Sequence, residues 1–332
     1  MMKKSNKETP HSNNVWAGPE AIKHFLIPKH HITPLVELPA VLNPFAGDKV
    51  RIFAKAMYLL PLLSVKSLMA AEMLASAQKA GDLENITTIV ENSSGNTAFA
   101  LAILAQYFGI EKVNAIVPAD IAPGKLDLLR LAGAHVSFPE KNQSGIALAK
   151  KEGEKKGFFN LGQYENDTNP QAHEQQTASE IWDQTEGDMT VFCAGLGTTG
   201  TIVGASRFFK KKHIPVTTVG VVLDPESAVP GVRTRERLKE VSFTWENEID
   251  AVVEAKTKES FKKSMELCRA GLLAGPSSGF ALAGLLKFLA AQNGKLDSLR
   301  NQDGEVVAVF ICGDTPLPYL DKYSTHLDAD EF

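Results

Sequence analysis

Short β-branched apolar blocks alternate along this chain with longer blocks whose apolar residues recur at helical spacing. The short blocks, bounded by Gly, Pro, Asn or Asp, fall at 51–54, 87–90, 113–117, 135–138, 189–193, 217–222 and 305–311, and read as buried strands of a parallel sheet. The longer blocks predict helices over 66–80, 97–108, 125–132, 147–156, 172–185, 201–211, 258–270 and 279–291. Regular alternation of the two argues for an α/β fold with helices on both faces of the sheet. Right-handed βαβ crossovers then give a doubly wound arrangement. Neither a repeat nor an obvious linker interrupts the pattern. Ligands in such sheets bind where strands end and helices begin, so those loops are where chemistry is expected.

Composition narrows the class. The chain has 332 residues, with 44% hydrophobic and 22% charged, enough for a large core in one or two globular units. A net charge of −4 gives no basic footprint for nucleic acid. Apolar runs stay short of the roughly 18 residues a membrane helix requires. The N-terminal MMKKSNKETPHSNN lacks the apolar stretch of a signal peptide and reads as a disordered tail over 1–15. The acidic end, 324–332, reads as a second loose tail. Three scattered cysteines, Cys193, Cys268 and Cys312, predict free thiols and a cytoplasmic setting. The eight histidines form no HxxxH or HxH pair, so a metal site is not expected.

Four stretches carry candidate chemistry. Lys66 ends an apolar run, and through Ser76 only Glu72 is charged. A lysine amine in apolar surroundings has a lowered pKa and becomes nucleophilic, although a lysine at a helix start also snorkels along the surface. Ser93-Ser94-Gly95-Asn96-Thr97 follows one predicted strand and opens a helix, where aligned N–H groups and hydroxyls suit a carboxylate; the same residues are ordinary helix caps. Gly197-Thr198-Thr199-Gly200-Thr201 lies between another strand and helix and has the composition of a phosphate cradle. It is neither a Walker loop nor the strict GxGxxG of dinucleotide folds. The Ser277-Ser278 pair precedes a late helix and reads equally as a cap.

Taken in order, these stretches resemble the cysteine synthase-like family of pyridoxal 5′-phosphate enzymes, fold type II, over most of the chain. Lys55, Pro61, Ser64 and Lys66 keep the register of the family's Lys-x-Glu-x-x-Asn-Pro-x-x-Ser-x-Lys motif; Met57 and Leu60 replace its Glu and Asn. Ser94-Gly95-Asn96-Thr97 matches its carboxylate loop, and Gly197 to Thr201 its phosphate loop with Thr199 in place of a glycine. Gln163-Tyr164-Glu165-Asn166 resembles its Gln-Phe-x-Asn, and Lys125…Leu129-Arg130…Gly133-Ala134 its Leu-x-x-x-Gly-Ala run. Pro230 to Arg235 departs from a usually glycine-rich entrance, and Arg233 and Arg235 are candidates to meet an acidic substrate group.

The resemblance implies pyridoxal phosphate as cofactor, held as a Schiff base by Lys66, which is also the catalytic base. It places Asn96 at the cofactor's 3′-oxygen, Gly197, Thr198, Thr199, Gly200 and Thr201 at its phosphate, and Ser277 at its ring nitrogen. Ser93, Ser94, Gly95, Thr97 and Gln163 bind the carboxylate of an amino-acid substrate. A serine at the ring nitrogen implies a weak electron sink suited to β-elimination chemistry. Two lobes are implied, a smaller one over 51–165 and a larger one over 166–323, with 16–50 packing on the larger. The implied activity is β-replacement on an activated serine in amino-acid biosynthesis, by a homodimer. The open alternatives are β-elimination or deamination of a serine- or threonine-like substrate, and a cofactor-binding homologue without turnover.

Overall fold

The computed structural model describes residues 14–292 and 294–332. The tail expected over 1–15 lies, apart from its last two residues, outside them. Ten strands form two sheets. In chain order they are β1 (Leu35–Glu37), β2 (Val50–Ala56), β3 (Thr88–Asn92), β4 (Lys112–Ile116), β5 (His135–Ser137), β6 (Phe158–Asn160), β7 (Val191–Gly195), β8 (Thr217–Leu223), β9 (Ala251–Ala255) and β10 (Val306–Cys312). The helices of the first half are α1 (Ala21–Phe25), α2 (Lys66–Ala80), α3 (Asn96–Leu104), α4 (Pro123–Leu131) and α5 (Gly145–Gly153). Those of the second half are α6 (Thr168–Ala172), α7 (Ser179–Gln184), α8 (Gly200–Lys211), α9 (Arg235–Leu238), α10 (Thr257–Arg269), α11 (Pro276–Ala291) and α12 (Leu320–His326).

The six-stranded sheet runs β1-β2-β10-β7-β8-β9 and the four-stranded sheet β5-β4-β3-β6. Every pairing is parallel except β1 with β2. The seven residues of β10 are all buried. Val306, Ala308, Phe310 and Cys312 enter one core cluster, whereas Val309 and Ile311 enter another. That is the period of two of a strand covered on both faces. Phe280, Leu282 and Leu285 of α11 lie in the first cluster and Ile202, Val203 and Phe209 of α8 in the second. A third cluster joins α2, α3 and β3 through Met69, Leu74, Leu101 and Ile89.

Several expectations are corrected. β2 bonds to β10 over seven paired residues, so it belongs to the six-stranded sheet and not to a lobe beginning at 51. Sheet membership rests on a partner some 250 positions away, which local periodicity does not report. β1, β6 and β9 were not predicted. The first two span three residues each, too short for a periodic signal, and β9 is an edge strand that leaves Glu254 exposed. The helix expected over 172–185 starts at Thr168 and contains a π-helical segment, His173–Ala178. The acidic end is docked, not loose. Tyr323 and Leu327 are buried with Phe261 and Met265, and Glu331 pairs with Lys258 and Lys262 at 3.0 Å each.

One buried polar knot ties the N-terminal segment to the six-stranded sheet. Lys55, wholly buried in β2, donates to Thr33 O at 2.8 Å and Gln184 Oε1 at 2.7 Å, and lies 3.2 Å from Glu180 Oε1. Glu180 in turn accepts from Thr33 N at 2.6 Å. Burial pushes the Lys55 amine down to about 8 against the pull of Glu180, and pushes the Glu180 carboxyl up against the pull of Lys55. Met57 and Leu60, the two departures from the family's lysine motif, are core residues at 1% exposure each, with Thr33 Oγ1 3.7 Å from Met57 Sδ.

Candidate active site

The carboxyl ends of the strands open on a cleft of about 1130 Å³. Lys66 lines it, half-buried, as the first residue of α2. Its approach is tightly held. Leu62 and Leu63 take left-handed φ values of 68° and 57°, costly for leucine. Val65 N then donates to Gly313 O at 2.8 Å, and Ser64 Oγ accepts from Lys66 N at 3.2 Å. Burial pushes the Lys66 amine down to about 8; Asp314 opposes this, while Lys125 and Arg233 add to it. This is the environment of an amine that loses its proton near neutrality.

Ser93, Ser94, Asn96 and Thr97 line the same cleft at the start of α3. Ser93 Oγ accepts from Gly95 N at 3.0 Å and Ala98 N at 3.2 Å, so it caps the helix as well as facing the cleft. Gly95 has φ of 126°, and a Cβ there would sit 2.6 Å from the Lys125 Cδ. Glycine is therefore required both by conformation and by the lysine stem that packs on the loop. Thr97 Oγ1 donates to Gln163 Oε1 at 2.8 Å, and Gln163 Nε2 donates to Asn92 O at 2.5 Å. This fixes the carboxamide beside the loop. Asn96 Nδ2 donates to Asp314 Oδ2 at 2.7 Å.

Glu91, just before this loop, is fully buried and accepts from Gly162 N at 3.1 Å. Burial pushes its carboxyl up to about 8, against backbone hydrogen bonds from Gln163, Gly162 and Asn92. Its folded value thus exceeds the ordinary 4.5, and the folded chain binds the extra proton between the two values. The stability it contributes is complete below 4.5 and is lost as pH rises through about 8. Glu91→Gln is therefore expected to flatten the pH profile. Between pH 5 and 8 the wild type should lose roughly 4 kcal/mol more than the variant in urea unfolding, and superimposable profiles would refute this.

Gly197, Thr198, Thr199 and Thr201 line the same cleft, where β7 passes into α8. Gly200, the first residue of α8, lies directly behind them. Thr199 adopts a left-handed φ of 65°, and its buried Oγ1 finds no hydrogen-bond partner among the described residues. A Cβ on Gly197 would meet Gly231 O at 2.3 Å, and one on Gly200 would meet Asn169 Oδ1 at 2.1 Å. Asn169 Oδ1 is a second buried atom without a partner among these residues, while Asn169 Nδ2 donates to Thr198 Oγ1 at 3.1 Å. The unpartnered Thr199 hydroxyl, bare backbone and a helix N-terminus together fit a phosphate group. Behind them His173, buried between Thr177 and Thr201, is pushed down by burial to about 3 and is neutral.

Ser277, in the first turn of α11, faces the cleft and donates to Asp314 Oδ1 at 3.2 Å. Lys66, Ser93, Ser94, Asn96, Thr97, Gln163, Gly197, Thr198, Thr199, Thr201 and Ser277 thus line one cleft, while Gly95 and Gly200 lie in the loops that carry this lining. Asn169 and His173 were not singled out. Lys125 was noted only as part of a family match. Arg233 lines the cleft, but its guanidinium lies 4.5 Å from the Tyr164 ring and donates to Glu240 Oε2 at 2.8 Å and to Arg237 O at 3.0 Å. Its charge is already met. Arg235 is exposed and lies outside the cleft lining.

Comparison with known proteins gives this geometry a family. Residues 27–313 match the family described as pyridoxal-phosphate dependent enzyme. Cysteine synthase B of Salmonella typhimurium is 34% identical over 271 residues, spanning 80% of this chain and 87% of that one. Cystathionine beta-synthase of Apis mellifera is 34% identical over 77% of this chain and 54% of its own. Among solved structures, a hydrogen sulfide-producing enzyme from Fusobacterium nucleatum superposes with a TM-score of 0.74 at 23% identity, covering 87% of this chain and 96% of that one. An O-ureido-L-serine-bound mutant of O-ureido-L-serine synthase superposes with a TM-score of 0.76 at 24% identity, covering 90% and 92%. Both establish a shared fold. With its family match, these relatives and a cleft whose buried groups fit the cofactor, this chain belongs to the pyridoxal-phosphate-dependent enzymes of the cysteine synthase type.

Proposed function

We propose that the chain makes cysteine, or a close relative of it, by β-replacement on an activated serine. The observation that carries this is the meeting in one cleft of a desolvated lysine, a carboxylate loop and a phosphate loop, each at the head of a different helix. Gly197 to Thr201 hold the phosphate by backbone N–H groups, hydroxyls and the dipole of α8. Ser93, Ser94, Gly95 and Thr97, with Gln163, hold the substrate carboxylate. Asn96 would meet the cofactor's 3′-oxygen and Ser277 its ring nitrogen. Bound pyridoxal phosphate supplies the electron sink that weakens the substrate's α-C–H bond. Lys66 would hold the cofactor at its aldehyde, and its amine would take the α-proton. An amine at about 8 is poised for both tasks near neutral pH.

The reading includes a homodimer and a cytoplasmic setting, supported by three free cysteines and by exposed Ile32, Val41, Leu59 and Leu63 as material for a subunit contact. The test is to mix the holoenzyme with O-acetyl-L-serine and sulfide and to measure cysteine against pyruvate. Cysteine in excess supports replacement. Pyruvate alone, unchanged by sulfide, replaces this reading with elimination, and neither product sinks both.

A further inference from the structure

Asn169, the second residue of α6, is wholly buried between two loops of the cleft. Its Nδ2 donates to Gln163 O at 2.8 Å, in the turn that follows β6 of the four-stranded sheet. The same nitrogen donates to Thr198 Oγ1 at 3.1 Å, in the loop that follows β7 of the six-stranded sheet. The carboxamide cannot be turned round, because Gln163 O is a carbonyl and only accepts. Its Oδ1 packs on the first residue of α8, where a Cβ on Gly200 would meet it at 2.1 Å. Both N–H groups of the amide are thus spent, one on each sheet's loop.

A threonine hydroxyl has one proton and two lone pairs. Thr198 Oγ1 accepts from Asn169 Nδ2 and also from Gly200 N at 3.4 Å, so both lone pairs are taken. Its proton has no acceptor among the described residues, and Thr198 lines the cleft. What this hydroxyl presents to the cleft is therefore a donor. Thr201 differs, since its partner His173 donates or accepts according to tautomer. The loop from Gly197 to Thr201 holds no lysine or arginine, so an anion there depends on which way such hydroxyls point. Resting on the reading of this loop as the phosphate cradle, we propose that Asn169 is a positioning residue which fixes Thr198 as a donor to the cofactor's phosphate. The same amide ties the cradle to Gln163, which holds the substrate carboxylate. One side chain thereby sets the seats of both anions.

The experiment titrates the full chain, stripped of cofactor, with pyridoxal phosphate and follows the visible absorbance that depends on Lys66. It compares the wild type with Asn169→Leu, Thr198→Val and the double variant. Leucine keeps the volume of asparagine and removes both N–H groups. Each single variant is expected to bind the cofactor roughly tenfold more weakly, the loss of one hydrogen bond to a charged group. The double variant should bind no more weakly than the weaker single one. Losses that multiply overturn the proposal, because Asn169 then acts elsewhere than through the Thr198 hydroxyl. At saturating cofactor, Asn169→Leu should also raise KM for the amino-acid substrate with little change in kcat; an unchanged KM overturns the link to Gln163. Should Asn169→Leu fail to fold, Thr198→Val still decides: cofactor affinity equal to the wild type leaves Asn169 no proton to direct. A wild type without Lys66-dependent absorbance is a different result, which sinks the reading of the site and this inference with it.

Discussion

Lys66→Ala is expected to remove turnover by on the order of 10³-fold or more while leaving the fold intact. Truncation deletes the amine that anchors the cofactor and takes the α-proton, two tasks no neighbour can assume. Lys125 is the other buried amine of the cleft, but its stem is committed to Gly95 and its ammonium to the Asp314 side. Structure should survive, because the Lys66 side chain is half-buried in the cleft lining and belongs to no core cluster. Lys66→Arg should fare no better, since a guanidinium stays protonated. Borohydride reduction of the holoenzyme followed by peptide mass analysis reads the anchoring directly. The wild type should carry the label on the Lys66 peptide and both variants should carry none. Full turnover in Lys66→Ala would remove the lysine from the mechanism.

Lys55→Met should be the most damaging substitution far from the chemistry. It strips the cation from Glu180 and orphans Gln184 Oε1, while Thr33 O keeps its bond from Gln184 Nε2 at 2.8 Å. Removing one partner of a buried pair costs about 3–5 kcal/mol, because the other charge stays buried alone. That is a large share of a typical total stability of about 5–15 kcal/mol. Glu180→Gln keeps the acceptor for Thr33 N without the charge, so Lys55→Met/Glu180→Gln should recover a substantial part of the loss. Urea midpoints of the two single variants and the double variant measure this. If the double variant is no more stable than Lys55→Met, burial of an unpaired carboxylate is not what the single substitution costs.

Most of the sheet and the three loops were legible because each is a run of consecutive residues. A strand ending in Gly-Leu-Gly-Thr-Thr and passing into a helix declares a turn, a bare backbone and a helix N-terminus within ten positions. Lys66–Ala80 was read to the residue, since a lone charge marks its start and Gly81 its end. What the sequence concealed are partners brought together by folding. Asn96 meets Asp314 across 218 positions, and Thr201 meets His173 in a segment whose π turn has no local sign. Arg233 invited a ligand in sequence because Glu240 and the Tyr164 ring, which answer its charge, come from outside the motif. Met57 and Leu60 likewise looked like changes to the pocket and are core packing.

The placement of β2 has a mechanical meaning. That strand is built into the six-stranded sheet, while the helix it leads into, α2, packs in the cluster of the four-stranded sheet with α3 and β3. Lys66 lies at the joint, rooted by Val65 on Gly313 and by the Ser64–Asp314 bridge. A residue at a pivot travels least when the two bodies rotate. The Ser93–Thr97 loop, by contrast, follows β3 and so belongs to the four-stranded sheet, and meets the joint through the Asn96–Asp314 bond. The lysine is thus rooted where the two sheets meet, while the loop facing it hangs from one of them alone.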